Sequence, residues 1–263
     1  MFKTKGFTLV ELLVVIAIIA LLMSILMPAL ALVRKQAKAV ICQTNLKQWS
    51  AIFSMYTNDH DGYFFEGSYG TIGIEERLKQ WMDATRSYYQ EPKIRLCPTA
   101  MKFEFMGGVY TGEWGSTKAW GIYIEDTVWC SKGDYGSYGI NGWVMNPSEK
   151  AVLGWLERDE FWRRTDVRGA GIVPLFLDSQ HFDGYPTEHA EPPEIENMPW
   201  SGTSYADEMD RFCLNRHEGA INGLFLDMSV RKVGLKELWK LKWCRSFDLN
   251  APSPLWPEWM EDL

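Results

Sequence analysis

One carboxylate stands apart from the rest of the chain. Glu11 opens an apolar run, Leu12 to Met27, that contains a single polar residue, Ser24. An acidic group inside a membrane-spanning helix costs about 3 kcal/mol on insertion scales unless it is paired or shallow. Such a residue is a functional candidate from its position alone. The next chemistry-bearing groups are the five cysteines, Cys42, Cys97, Cys130, Cys213 and Cys244. None is spaced C-x-x-C, which argues against a zinc knuckle or a thioredoxin-type centre. Their number is odd, so at least one thiol stays unpaired, and the sequence chooses no connectivity. Asp59-x-Asp61-Gly62 looks like the start of a calcium loop, but its twelfth position is Gly70 and not a bidentate Glu. A helix-ending turn is the better reading. No Ser or Cys sits in a nucleophile motif and no glycine loop is built for phosphate. An enzyme is not expected.

These residues need elements to hold them. Phe7 to Val33 is 27 residues, and a helix crosses a hydrocarbon core in about 20. Lys3 and Lys5 precede the run, and Arg34, Lys35 and Lys38 come after it. Basic residues on both flanks leave the orientation open by count. A secretory signal peptide has a shorter apolar region and an A-x-A-like cleavage site. An ordinary single-span anchor leaves Glu11 unexplained. If the segment exports the remainder of the chain, the cysteines enter a compartment where disulfides are allowed. The formal charge of −7 becomes −9 if Lys3 and Lys5 are removed with a leader. An acidic exported domain argues against a nucleic-acid groove.

Beyond Pro28 the pattern turns amphipathic. Leu30, Val33, Ala37, Val40, Ile41, Trp49, Ile52, Phe53 and Tyr56 recur at helical spacing. One helix, bent where Pro28 removes a hydrogen bond, is predicted from about Phe7 to Thr57. Asn58-Asp59-His60-Asp61-Gly62 then supplies turn chemistry. Further on, a helix is predicted over 75–89 and strands over 93–96, 151–156 and 172–177. Short strands and turns fill 107–146. Residues 183–204 hold four prolines and read as an irregular loop. A hairpin is predicted from 221–226 and 229–233, with a short helix over 235–241. Trp114, Trp120, Trp129 and Trp143 lie among glycines. They are read as core packing before carbohydrate binding.

Gly6-Phe7-Thr8-Leu9-Val10-Glu11-Leu12 resembles the processing signal of type IV pilins and type II secretion pseudopilins. The resemblance implies cleavage between Gly6 and Phe7 by a prepilin peptidase, followed by N-methylation of Phe7. It makes 1–6 a leader and 7–57 the pilin helix, with its transmembrane segment at about 9–32. Residues 58–263 become the exported domain. In that family the fifth mature residue, here Glu11, guides assembly, and a proline at the depth of Pro28 is common. A free α-amine on Phe7 beside a neighbour's Glu11 would neutralise two charges that are costly in an apolar filament core.

The remainder resembles a planctomycete-type pilin-like family marked by His, nine residues, then Asp-Gly. The matching words are Cys42 with Asn45-Leu46-Lys47-Gln48, then Asp59-His60-Asp61-Gly62-Tyr63 and Leu96-Cys97-Pro98. They continue with Ser137-Tyr138-Gly139-Ile140-Asn141, Pro174-Leu175-Phe176-Leu177-Asp178, and His217 ahead of Asp227. The family's Asp-Gly is Asp227-Met228 here, so the hairpin turn must differ or Met228 must accept strain. The resemblance implies a Cys42–Cys97 disulfide. It also marks Asp178, His217 and Asp227, which flank predicted strands and are expected to serve as a hydrogen-bonded strand bridge or a divalent metal site. No other cofactor is predicted.

The expected class is α+β, with a long helix, half transmembrane and half amphipathic, packed on a mixed, mainly antiparallel sheet. The expected function is a structural or accessory subunit of a type IV pilus or type II secretion filament. Its partners would be other pilin or pseudopilin subunits, the prepilin peptidase and an inner-membrane assembly platform, with no nucleic acid. The chain would sit in a bacterial inner membrane by a single pass, then in a periplasmic or surface filament. The rival reading is a tethered, non-polymerising domain that binds polysaccharide or an exported protein.

Overall fold

The computed structural model describes residues 8–67, 80–101, 115–123, 125–127, 130–148, 157–196, 198 and 208–263. Helix α1 runs without interruption from Leu9 to Asp59, through Pro28. The chain divides into two compact units, Met1–Lys38 and Ala39–Leu263, and α1 contributes to both. In the first unit the apolar side chains from Leu9 to Met27 are exposed. This part of α1 is long and apolar enough to cross a membrane.

In the second unit α1 buries Cys42, Leu46, Trp49, Phe53 and Tyr56, the 4-3-4-3 spacing of one helical face. From Trp49 to Tyr56 this face is the predicted stripe, and the two part only N-terminal to it. Val40 and Ile41 are 60% and 50% exposed, while Cys42 and Leu46 take the inward positions. The polar break expected at Thr44 and Asn45 is accommodated, because Asn45 Nδ2 donates to Leu96 O at 2.9 Å. The helix ends where Asp61 and Gly62 both take positive φ, and Gly62 N closes on Thr57 O at 2.7 Å. Glycine accepts that conformation cheaply.

A five-stranded sheet faces this helix segment. Its strands are β3 (Tyr138–Asn141), β4 (Pro174–Asp178), β5 (Asp183–Gly184), β6 (Ala220–Phe225) and β7 (Val230–Gly234), in the order β5-β3-β4-β6-β7. All pairings are antiparallel except β3 with β5. The class is therefore α+β, as the sequence predicts. β4 and β6 are buried at every position, as central strands covered on both faces must be. The edge strand β7 carries Arg231 and Lys232, charges that discourage further pairing. A two-stranded ribbon, β1 (Trp120–Gly121) with β2 (Tyr135–Gly136), lies apart from this sheet.

The 93–96 strand is not formed. Pro92–Arg95 is a 3₁₀ turn, started by Pro92 and capped by the Glu91 carboxylate on Lys93 N. Of the 75–89 helix, the described part is α2 (Trp81–Thr85) running into a 3₁₀ turn at Arg86–Tyr88. The 235–241 helix is a 3₁₀ helix, Leu235–Lys240. The predicted strand 151–156 lies outside the described residues. The core centres on Phe176 of β4, whose ring centroid lies 5.1 Å from Trp49, 5.4 Å from Phe53 and 4.8 Å from Trp81. Trp120 and Trp143 are core residues too. Their indole nitrogens donate to Tyr138 O and Pro186 O, so neither ring is a carbohydrate platform.

Candidate functional site

Among the described residues, two constellations carry the chemistry considered for function, one in each unit. The first is the start of α1. Thr8 Oγ1 accepts from Glu11 N at 3.2 Å, and Glu11 Oε2 accepts from Thr8 N at 2.8 Å. Thr8 Oγ1 also donates to Glu11 Oε2 at 2.7 Å. This is a reciprocal capping box, in which Thr-x-x-Glu satisfies two backbone donors that a helix start leaves orphaned. Glu11 thus has a local role in addition to the one its depth implies. Gly6 and Phe7 lie outside the described residues.

The second constellation is buried. Cys42 comes from the inward face of α1, and Cys97 lies just past the 3₁₀ turn. Asp178 ends β4, and His217 precedes β6. One donor atom from each lies within 4.8 Å of the others. Cys42 Sγ is 3.5 Å from Asp178 Oδ2, Cys97 Sγ is 3.4 Å from His217 Nε2, and His217 Nε2 is 3.1 Å from Asp178 Oδ2. The sequence treats Cys42–Cys97 and Asp178–His217 as separate features, and the fold makes them one. Both thiols are free. The two sulfurs lie within 4.8 Å of one another, so the fold brings together the pair that the resemblance marks.

Asp227 is not part of this group. It sits in the hairpin loop Leu226-Asp227-Met228, where its Oδ1 accepts from Ser229 N at 3.0 Å and from Ser229 Oγ at 2.6 Å. The loop is closed by Met228 N to Phe225 O and Phe225 N to Ser229 O, both 2.9 Å. Three-residue hairpin loops place a left-handed residue third, and Met228 has φ 64° there. A non-glycine residue thus occupies the left-handed position of this turn, at a cost in backbone strain.

Sequence reasoning missed the supporting residues. Arg216 Nη1 donates to Asp178 Oδ1 at 2.9 Å and to Ser137 O at 2.6 Å. Asn222 N donates to Asp178 Oδ2 at 2.9 Å, and Tyr138 Oη donates to Cys42 Sγ at 3.3 Å. The available signal was adjacency, since Arg216 precedes His217 and Tyr138 lies in one of the recognised words. Burial alone would raise the Asp178 pKa, but Arg216, His217 and the Asn222 N–H hold it well below the usual carboxylate range. Burial would lower that of His217, yet Asp178 and Cys97 raise it to about 9. Burial pushes the Cys42 thiol well up, helped by Cys97 and Asp178. For Cys97 burial is outweighed by Cys42, His217 and Arg216, which hold the thiol below its ordinary value. Negative charge thus gathers on Asp178 and Cys97, against Arg216 and His217. Cys130, Cys213 and Cys244 are also buried and free.

Residues 1–27 match the family described as the prokaryotic N-terminal methylation motif. The chain is also similar to "Type IV wide pilus major component PilA4" of Thermus thermophilus, 43% identical over 61 residues. That match covers 23% of this chain and 47% of the relative, so it spans about half the length of the curated protein. No solved structure matches.

Proposed function

We propose that this chain is a filament subunit of a type IV pilus or a type II secretion pseudopilus. In this reading it is cut at Gly6–Phe7 by a prepilin peptidase and assembled through the apolar half of α1. The observation that carries the reading is Thr8–Glu11 at the head of an exposed apolar helix, inside the matched methylation motif. An apolar surface of that length is stable in lipid or against like helices, and not in water. The Phe7 amine of one subunit would meet Glu11 of its neighbour. The assembly platform and the other pilins are its partners. The order of motifs from Cys42 to His217 and Asp227 supports the His-X9-Asp subfamily.

The capping box offers a sharp test, because glutamine caps a helix as glutamate does but carries no charge. Glu11→Gln is expected to insert normally in the membrane and to fail to enter filaments. Mass spectrometry of the native chain is expected to find a methylated N-terminus at Phe7. Wild-type assembly by Glu11→Gln, or native material that keeps Met1, would overturn the reading.

A further inference from the structure

We propose that Cys42, Cys97, Asp178 and His217 form a structural zinc site that ties α1 to the sheet. Tetrahedral zinc holds sulfur at about 2.3 Å and nitrogen or oxygen at about 2.0–2.1 Å. Such a centre separates a thiolate from a carboxylate oxygen or an imidazole nitrogen by about 3.5 Å, and nitrogen from oxygen by about 3.3 Å. The matching edges here are 3.5 Å from Cys42 Sγ to Asp178 Oδ2, 3.4 Å from Cys97 Sγ to His217 Nε2, and 3.1 Å from His217 Nε2 to Asp178 Oδ2. The four donors come from four distant chain segments and converge in a fully enclosed place.

The charges agree with a dication. Two thiolates and the Asp178 carboxylate are three negative charges, balanced by zinc and the buried Arg216 guanidinium. A balanced set is what burial requires, since an uncompensated buried ion is strongly destabilising. The surrounding contacts are those that orient metal ligands. Arg216 holds Asp178 Oδ1, while Asn222 N–H supports Oδ2, the oxygen that lies 3.1 Å from His217 Nε2. Tyr138 Oη donates to Cys42 Sγ, and Cys97 N donates to Ser137 Oγ. Sulfur and imidazole donors favour zinc over calcium or magnesium. All four positions are filled by protein, so the site is structural and not catalytic.

The site does not depend on filament assembly, and it can be tested on the full-length chain in detergent. The chain is purified without reductant or chelator, and its zinc is measured by plasma mass spectrometry. Thiols are then alkylated after denaturation and mapped. One zinc per chain is expected, with Cys42 and Cys97 both alkylated. Cobalt exchange should add a thiolate-to-metal charge-transfer band. His217→Ala and Cys97→Ser should lose stoichiometric metal, whereas Cys213→Ser should keep it. A Cys42–Cys97 disulfide in the native chain would overturn the proposal. So would a folded chain with free thiols and neither zinc nor the cobalt band. The wild-type measurements decide the matter even if a ligand variant misfolds.

Discussion

Arg216 Nη1 lies 2.9 Å from Asp178 Oδ1, and both side chains are at 0% exposure. The pair links the segment before β6 to the end of β4, and it fixes the carboxylate that Cys42 and His217 share. Removing one member of a buried ion pair leaves the other charged and unpaired, which costs about 3–5 kcal/mol. Arg216→Met is therefore expected to destabilise the second unit by about that amount. Chemical denaturation followed by tryptophan fluorescence measures it, and a loss below about 1 kcal/mol would contradict a desolvated pair.

Trp49 is the largest side chain that α1 commits to the core. It is fully buried, its ring lies 5.1 Å from those of Trp81, Tyr89 and Phe176, and its Nε1 donates to Ile94 O at 2.9 Å. Trp49→Ala removes this packing and the hydrogen bond to the partly buried Ile94 carbonyl. The expected cost is about 3–5 kcal/mol, read by the same denaturation. Val40→Ala is the control on the same helix. Its side chain is exposed, so a change within about 0.5 kcal/mol is expected.

These residues also show what the sequence discloses. The 3.6-residue period from Trp49 to Tyr56 is plain, because four large apolar side chains mark one face. Its continuation at Val40 and Ile41 is misleading, since hydrophobicity alone ranks them above Cys42. Only the contact of Cys42 with Asp178 shows which face turns inward. Strand β4 is legible as a short apolar run, and the β6–β7 hairpin as alternating runs around a turn. The Pro92–Arg95 turn is not, because Lys-Ile-Arg-Leu alternates like a strand and the proline before it decides otherwise. The buried tetrad is visible only as two separate pairs. Its closure depends on distances between segments that no local pattern encodes. Spacing along the chain groups Asp227 with His217, but the hairpin carries it into its own loop.

The Met228 turn provides a third prediction. A non-glycine residue in the left-handed region costs about 1 kcal/mol relative to glycine. Met228→Gly should stabilise the hairpin by about 0.5–1 kcal/mol, less what the partly buried methionine side chain contributes to packing. Asp227→Ala should act in the opposite direction by about 1 kcal/mol, because Ser229 N and Oγ lose their acceptor. Neither change touches the tetrad, so the metal content of both variants should equal that of wild type. Amide exchange at Phe225 and Met228 reports the hairpin directly.

The last prediction concerns pH and a second buried ionic group. His181 Nδ1 lies 2.9 Å from Asp183 Oδ1, and Arg211 Nη1 lies 3.2 Å from the same oxygen. Arg211 also pairs with Glu208 at 2.9 Å. Burial and the Arg211 charge lower the His181 pKa, and Asp183 only partly offsets them. The imidazole is thus neutral in the fold, while in the unfolded chain it takes a proton near pH 6.5. The unfolded state then binds more protons as the solution is acidified. This contribution to stability is complete above about pH 6.5 and declines below it, by at most about 1.4 kcal/mol per pH unit. The comparison that isolates it is wild type against His181→Asn, each unfolded by denaturant at pH 7.5 and 5.5. Wild type should lose about 1 kcal/mol more than the variant over that interval. An equal loss in the two proteins would mean that folding leaves the His181 pKa unchanged, and a smaller loss in wild type would mean that Asp183 holds the imidazole protonated in the fold.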